Sequence, residues 1–402
     1  MTKYSYKPLG DDQTLRRAWA RSGSLSFRME PDRILEYLDR MDRHNWCRVL
    51  VDEHNELIAT LMNAKVGMFL SGRRVTAESV GFVCIPPEHR GKRASVEIMH
   101  RHLHEAHSNG SALSVLFSAR ARLYRGVGYE TAGRRNMVRI PLRTLKLRSQ
   151  EGIDQVTVRP MCDEDYPDIR ALYTGFARDQ HGYLDREDWH WNYLLGSYQK
   201  NMRPGFVFEH NGTLSGYMVL TRGEHLGPKQ GSETDIHDLA FADAPTARAM
   251  IRFLSGFAST WSHANFGADT AHPIFDHADE LWHQVISTDL WMVRIVDVAS
   301  AISQRGFHPC VSGELVLGIT DPILDHNTGN WKIRIDSGKA SILKTDEPAK
   351  ASMDITSLAP IYTGFMTATQ MHLNGRVDAD QHALSMLDGL FASATPAMVD
   401  DF

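Results

Sequence analysis

The 402-residue sequence has little cysteine and no long apolar run, and both scarcities narrow what it encodes. Its four cysteines, Cys47, Cys84, Cys162 and Cys310, are scattered and never form a Cys-x-x-Cys pair, so neither a disulfide framework nor a zinc site is indicated. They read as reduced, partly buried thiols. No segment approaches the roughly 20 apolar residues that span a bilayer, and the opening MTKYSYKPLGDDQTLRRAW has no apolar stretch of signal-peptide length. The expected location is the cytoplasm, with no membrane partner. An excess of positive charge is also missing. The chain has 44 Lys and Arg against 49 Asp and Glu, a formal −5, whereas nucleic-acid binding needs a cationic face. A cationic ligand suits this balance better. With 42% hydrophobic and 23% charged residues, a chain of this length predicts an ordinary globular protein of two or three units.

Along the chain, short β-like runs come first. CRVLVDE (47–53) and ELIATLMNAKVGMFL (56–70) read as strands joined by a turn at His54 and Asn55, and RRVTAESVGFVCIP (73–86) as a third strand that Pro86 and Pro87 force out of its ladder. A helix is expected next, because Val96, Met99, Leu103 and Ala106 recur at helical spacing before a stop at Asn109-Gly110. SALSVLFSA returns to strand and TAGRRNMVRIPL forms a last ribbon. The polar, basic run 142–152 reads as a linker, after which VTVRPMCDEDYPDIRALYTGF starts a second strand-then-helix opening. A third region is expected from WMVRIVDV onward, with strands at 313–320, 330–338 and 339–345 and helices to the end.

The richest stretch is Val83-Cys84-Ile85-Pro86-Pro87-Glu88-His89-Arg90-Gly91-Lys92-Arg93-Ala94-Ser95. A strand stopped by prolines, feeding a helix whose first N–H groups are free, makes an anion site, and Arg90, Lys92 and Arg93 add charge suited to a pyrophosphate. The same residues also suit a solvated basic loop. Among the histidines, His100, His104 and His107 share one helical face. No acidic or sulfur partner follows them in a known motif, so a polar outer face is expected and no metal. Trp282 and Trp291 read as packing residues.

On these segments the chain resembles the GNAT superfamily, whose pattern Gln/Arg-x-x-Gly-x-Gly/Ala follows the fourth strand and binds the coenzyme A pyrophosphate. Arg90-Gly91-Lys92 matches its start, while Arg93 and Ser95 stand where the glycines are usual. Leu123-Tyr124-Arg125-Gly126-Val127-Gly128-Tyr129-Glu130 is similar to the tyrosine-bearing helix and turn that close the cofactor site. With FVCIPPEHRGK, the run from Leu290 to Val298 and the ending LFASATPAMVDDF, the resemblance extends to the Eis (enhanced intracellular survival) family over nearly the whole chain.

That resemblance implies an α+β fold with a GNAT domain over 1–149, a GNAT-like domain over 150–289 and a sterol carrier protein-like domain over 290–402. It implies acetyl-CoA as cosubstrate, held by Val83, Cys84, Ile85, Arg90, Gly91, Lys92, Arg93, Ala94, Ser95 and Ser118, with no metal. Tyr124 is the implied acid, the carboxylate of Phe402 the implied base, and Phe82, Asp289 and Asp401 the implied substrate contacts. Tyr129 is expected to be structural, and Asp400 to be a solvated surface residue. Transfer is expected to be direct, without an acyl-cysteine, because Cys84 reads as buried. The implied substrate is an aminoglycoside antibiotic such as kasugamycin, whose acetylation confers resistance, and the implied assembly is a homohexamer built as a dimer of trimers. A polyamine or a protein lysine as substrate, and a degenerate GNAT that binds a ligand without turnover, stay open as alternatives.

Overall fold

The computed structural model describes residues 4–41, 45–192, 194, 204–225, 232–280 and 283–400. The first unit comprises β1 (Ser5–Pro8), helices α1 (Gln13–Phe27) and α2 (Pro31–Met41), β2 (Cys47–Val51), β3 (Leu57–Leu70), β4 (Arg73–Cys84), α3 (Ala94–Ser108), β5 (Leu113–Phe117), α4 (Ala121–Arg125) and β6 (Glu130–Pro141). Asp12 caps α1 by accepting the N–H groups of Thr14 and Leu15, and α3 buries Ile98, Met99, Leu103 and Ala106. That is close to the periodic face expected, with Ile98 in place of the half-buried Val96.

The second unit repeats the strand-then-helix opening. It runs through β7 (Val156–Pro160), α5 (Tyr166–Arg178), β8 (Leu184–Asp185), β9 (Gly205–His210), β10 (Thr213–His225), β11 (Ser232–Phe241), α6 (Ala244–Ser255), β12 (Trp261–Gly267) and β13 (Gln284–Ile295). All these strands join one sheet, ordered β1-β2-β3-β4-β5-β13-β6-β12-β11-β10-β9-β7, with β8 on β3. β13 is inserted between β5 and β6 of the first unit and is antiparallel to both. The expected boundary between residues 289 and 290 therefore falls inside a strand. Trp291, Met292, Val293 and Ile295 are buried on both faces of the sheet, and Trp291 lies against Gly133, where an added Cβ would fall 2.1 Å from its ring.

The third unit starts at α7 (Val298–Gln304) and continues with β14 (Gly313–Thr320), β15 (Gly329–Asp336), β16 (Lys339–Lys344), β17 (Ala351–Asp354), α8 (Ile355–Thr363), α9 (Ala368–Leu373), β18 (Val377–Ala379) and α10 (Gln381–Phe391). Its five-stranded sheet, ordered β16-β15-β14-β17-β18, shares one continuous core with β3, β4, β5 and β13. Arg294 of β13 reaches into it and donates to both oxygens of Asp321 at 2.7 and 2.8 Å, with both side chains fully buried. Burial alone would raise the Asp321 carboxyl, but Arg294 outweighs it and holds the pKa below the usual value. No helix among the described residues is long and apolar enough to cross a membrane.

Because Arg294 has no other carboxylate partner among the described residues, Asp321→Ala is expected to strand a buried cation and destabilise the protein by about 3–5 kcal/mol. The double change Arg294→Met with Asp321→Leu should recover most of that loss. Thermal and urea midpoints of the two variants check both outcomes.

Candidate active site

The site is built by a parting of two strands. β4 and β5 pair in parallel only from Ala77↔Leu113 to Ser79↔Val115, yet β4 runs on to Cys84 and β5 to Phe117. Beyond Ser79 the backbone of β4 has no ladder partner in β5, and a wedge opens between them. On its other side β4 pairs β3 with a bulge between Thr60↔Cys84 and Met62↔Gly81. Phe82 takes the extra turn at φ +52, a left-handed conformation costly for a residue with a Cβ. Thr60 pins it: its hydroxyl donates to the Phe82 carbonyl at 2.8 Å and accepts the Cys84 N–H at 3.1 Å.

After Cys84 the chain exits through Pro86 into a single 3-10 turn, Pro87–His89, and then into α3. Gly91 has φ +77 with open space around its Cβ position. Arg93, the N-cap of α3, has φ +61 and no side-chain cap bond. Arginine thus adopts the backbone conformation a glycine would take at that point, so the path of the loop is kept although the residue has changed. Gly91, Lys92 and Arg93 are exposed, Arg90 is exposed and donates to the Ile85 carbonyl, Ala94 is buried and Ser95 is half-buried. Three cations and the first N–H groups of a 15-residue helix therefore share one rim.

Across the wedge, Ser118 follows β5, and its Oγ is buried with no hydrogen-bond partner. An unpaired buried hydroxyl is costly unless a ligand completes it. Tyr124 on α4 is buried, and burial, with the nearby Cys84 thiol adding to it, pushes its phenol up to about 12. Tyr124 and Cys84 are thus brought together. Burial also raises the Cys84 thiol, against hydrogen bonds to Ser26 and Thr60, so it stays protonated and offers no thiolate nucleophile. Tyr129 is structural as expected: fully buried, its hydroxyl sits 2.7 Å from Ser114 Oγ.

The outer face of the Phe82 bulge is aromatic. Phe82 is half-buried in a cluster with Trp19, Phe27 and Tyr37 at ring separations of 6.0, 4.6 and 5.7 Å, and Trp46 meets Trp189 edge-on at 5.0 Å. Apart from Phe82, none of these aromatics was legible as a wall, since α1 and α2 lie far from β4 in sequence. Thr60 left one signal, a hydroxyl inside a strand that is otherwise nearly all apolar. Asp289 is exposed and paired with Arg135 at 3.0 Å, next to the end of β5, so much of its charge is already answered. Asp400, expected on the solvated surface, is buried and ion-paired with Arg186 at 2.7 Å. Asp401, Phe402 and Trp282 lie outside the described residues. His107 meets an acidic partner that no linear motif announced: Asp297, at 3.6 Å, beside a stacked His326.

Comparison with known proteins identifies the three units. Residues 7–132 and 182–295 match acetyltransferase (GNAT) domain families, and residues 298–399 match a sterol carrier protein domain family. An uncharacterised N-acetyltransferase of Streptomyces coelicolor is 26% identical over 323 residues, 76% of either chain. Another, from Streptomyces avermitilis, is 25% identical over 80% of this chain and 81% of its own. Among solved structures, a GCN5-related N-acetyltransferase from Anabaena variabilis superimposes with a TM-score of 0.91 at 25% identity, covering 99% of this chain and 100% of that one. Eis1 from Mycobacterium abscessus, at 17% identity, shares the fold with a TM-score of 0.80 over 99% and 100% of the two chains.

The left-handed arginine yields a prediction with two opposite signs. Arg93→Gly relieves the backbone and should leave stability unchanged or raise it by up to about 1 kcal/mol. It also removes a cation, so coenzyme A binding should weaken severalfold and the loss should fade as salt rises. Titration calorimetry at low and high salt checks this; tighter binding at every ionic strength would assign no charge role to Arg93. The two matched acetyltransferase domains and the sterol carrier protein domain that follows them place this chain in the GNAT N-acetyltransferases, in an Eis-like architecture.

Proposed function

We propose that this enzyme transfers the acetyl group of acetyl-CoA to an amine of a small cationic substrate, and that the substrate class is an aminoglycoside, whose acetylation would confer resistance. The observation that carries the reading is the buried, protonated phenol of Tyr124 beside Cys84 at the end of β4, where the wedge opens, together with the unpaired Ser118 hydroxyl just past the end of β5. The exposed Phe27 ring and the half-buried Tyr37 and Phe82 rings support a cationic amine, since ring faces attract ammonium groups once water is excluded.

In this reading the substrate ammonium gives up a proton to the carboxylate of Phe402, with Asp401 beside it adding negative charge. The freed nitrogen attacks the thioester carbon, the tetrahedral intermediate collapses with cleavage of the C–S bond, and the surplus proton on the new amide nitrogen passes to the departing thiolate, which leaves as the thiol. The departing thiolate accepts a hydrogen bond from Tyr124. A free thiol titrates near ~8.5, so complete proton transfer from a phenol at about 12 lies about 5 kcal/mol uphill, and Tyr124 acts mainly by stabilising the developing charge. A buried, protonated Cys84 supports direct transfer over an acyl-enzyme. Assembly as a homohexamer is part of the proposal. The strand edge Gln284–Leu290 supports it, being exposed beyond the end of β5 with Val285, Ile286 and Leu290 on it.

Thiol release from acetyl-CoA over a panel of aminoglycosides, polyamines and lysine peptides tests the substrate class; turnover confined to the last two would overturn it. Tyr124→Phe should lower turnover by roughly 100-fold with little change in acetyl-CoA affinity. The working form of Tyr124 is protonated, so its contribution persists below its pKa and is lost only as pH rises through about 12. The native pH profile should therefore show no alkaline fall between about pH 8 and 10. A fall there that Tyr124→Phe abolishes would contradict the assignment.

A further inference from the structure

The chain end does not hang free. Arg134 on β6 donates its N–H to the Pro396 carbonyl at 3.2 Å, and Met398 returns an N–H to the Arg134 carbonyl at 3.2 Å. On the other flank, the Ala397 N–H donates to the His181 carbonyl at 2.8 Å. Gly182, at φ +98, lies so close that a Cβ there would fall 2.5 Å from the Ala397 carbonyl oxygen. The tail thus enters a slot between the two acetyltransferase units.

At the inner end of the slot is Arg186. Its Nη1 and Nη2 donate to the two oxygens of Asp238 at 2.7 and 3.0 Å, and Tyr217 donates to the same carboxylate at 2.7 Å. The guanidinium stacks 3.7 Å from the Tyr173 ring centroid and 5.0 Å from that of Trp191. This assembly is complete without the tail, and it leaves the Nε and Nη2 edge facing outward. Asp400 occupies that edge: its Oδ1 accepts from Nε at 2.9 Å and from Nη2 at 2.7 Å, while its Oδ2 accepts from Tyr173 at 3.2 Å. His190 Nε2 lies 3.5 Å from Oδ1, and burial holds that ring neutral, at about 4.

All three charged side chains are almost completely buried. Taking ions out of water costs several kcal/mol each, so such a cluster is a poor way to gain stability but a selective way to hold one carboxylate in one place. We propose that Arg186, pre-oriented by Asp238 and Tyr217, is the receptor for the chain end. By binding Asp400 it acts as the positioning residue for the terminal carboxylate. With Asp400 fixed, two residues of chain confine that carboxylate to about 7 Å of reach. The proposal rests on the reading of Phe402 as the base.

Asp400→Asn tests it in the full-length protein, because Arg186 keeps its pairing with Asp238 and the fold is not left with an unpaired cation. Two quantities are read: the rate at which carboxypeptidase releases Phe402, and kcat with the KM for acetyl-CoA. Release should become about 10-fold faster, and kcat should fall about 10-fold while the KM for acetyl-CoA stays put. Tyr173→Phe, which removes a single hydroxyl and no charge, should move both readouts the same way by a smaller factor, which keeps the test available should Asp400→Asn fold poorly. Unchanged release would overturn the receptor. Faster release with unchanged kcat would leave the receptor standing as an anchor but overturn its positioning role, and with it the part of the chain end in transfer.

Discussion

Everything in this molecule leans on the insertion of β13 between β5 and β6. Those two strands belong to the first acetyltransferase unit, whereas β13 arrives about 150 residues later, at the end of the second. Covering one edge of β5 with β13 lets its other edge part from β4 without exposing an unpaired strand on both sides. The wedge exists because β5 is held from behind. The same strand presses Trp291 into the space that Gly133 leaves by having no side chain, and sends Arg294 into the third unit. The three units therefore cannot be read as separate beads, since removing residues 284–295 would take a central strand from the first.

The division of labour within the site follows from this framework. In the proposed function the cosubstrate side is formed by the first unit alone: the bulge that Thr60 pins, the cationic loop, Ser118 and Tyr124. In the proposed function the amine side is composite, with α1 and α2 supplying Phe27 and Tyr37, the segment 181–191 supplying Trp189, and the tail entering between the two acetyltransferase units. That reading puts acetyl-group chemistry on rigid strands, and recognition on elements that differ in sequence separation and origin. The electrostatics divide as well: Arg90, Lys92 and Arg93 are exposed on the loop before α3, whereas the acidic Asp400 is buried against Arg186.

Much of the cosubstrate side was legible in the sequence because it is local. Pro86 and Pro87 end β4, the periodic apolar residues make α3, and Tyr124 follows at a family spacing. What could not be read is what depends on distant pairing. The run at Leu290–Val298 has the composition of a buried strand, but its neighbours are set by topology, so it reads as the start of a new unit when it closes an old one. Asp400 reads as solvated because aspartates near chain ends usually are; its partner, Arg186, lies 214 residues away. Arg93 was legible as a departure from the glycine pattern, yet only the backbone angle shows that the glycine-like conformation survives the change.

The central claim is that the end of this chain takes part in the reaction. The most direct measurement is steady-state turnover of four forms at matched oligomeric state: native, extended at the C-terminus, lacking Phe402, and extended at the N-terminus. Extension converts the Phe402 carboxylate to a neutral amide, and deletion shifts the carboxylate by about 3.3 to 3.8 Å, more than proton transfer tolerates. The extended and shortened forms are expected to bind acetyl-CoA as the native chain does but to turn over at least about 10-fold more slowly, with the N-terminal extension harmless. Equal turnover in all four forms would contradict the central claim.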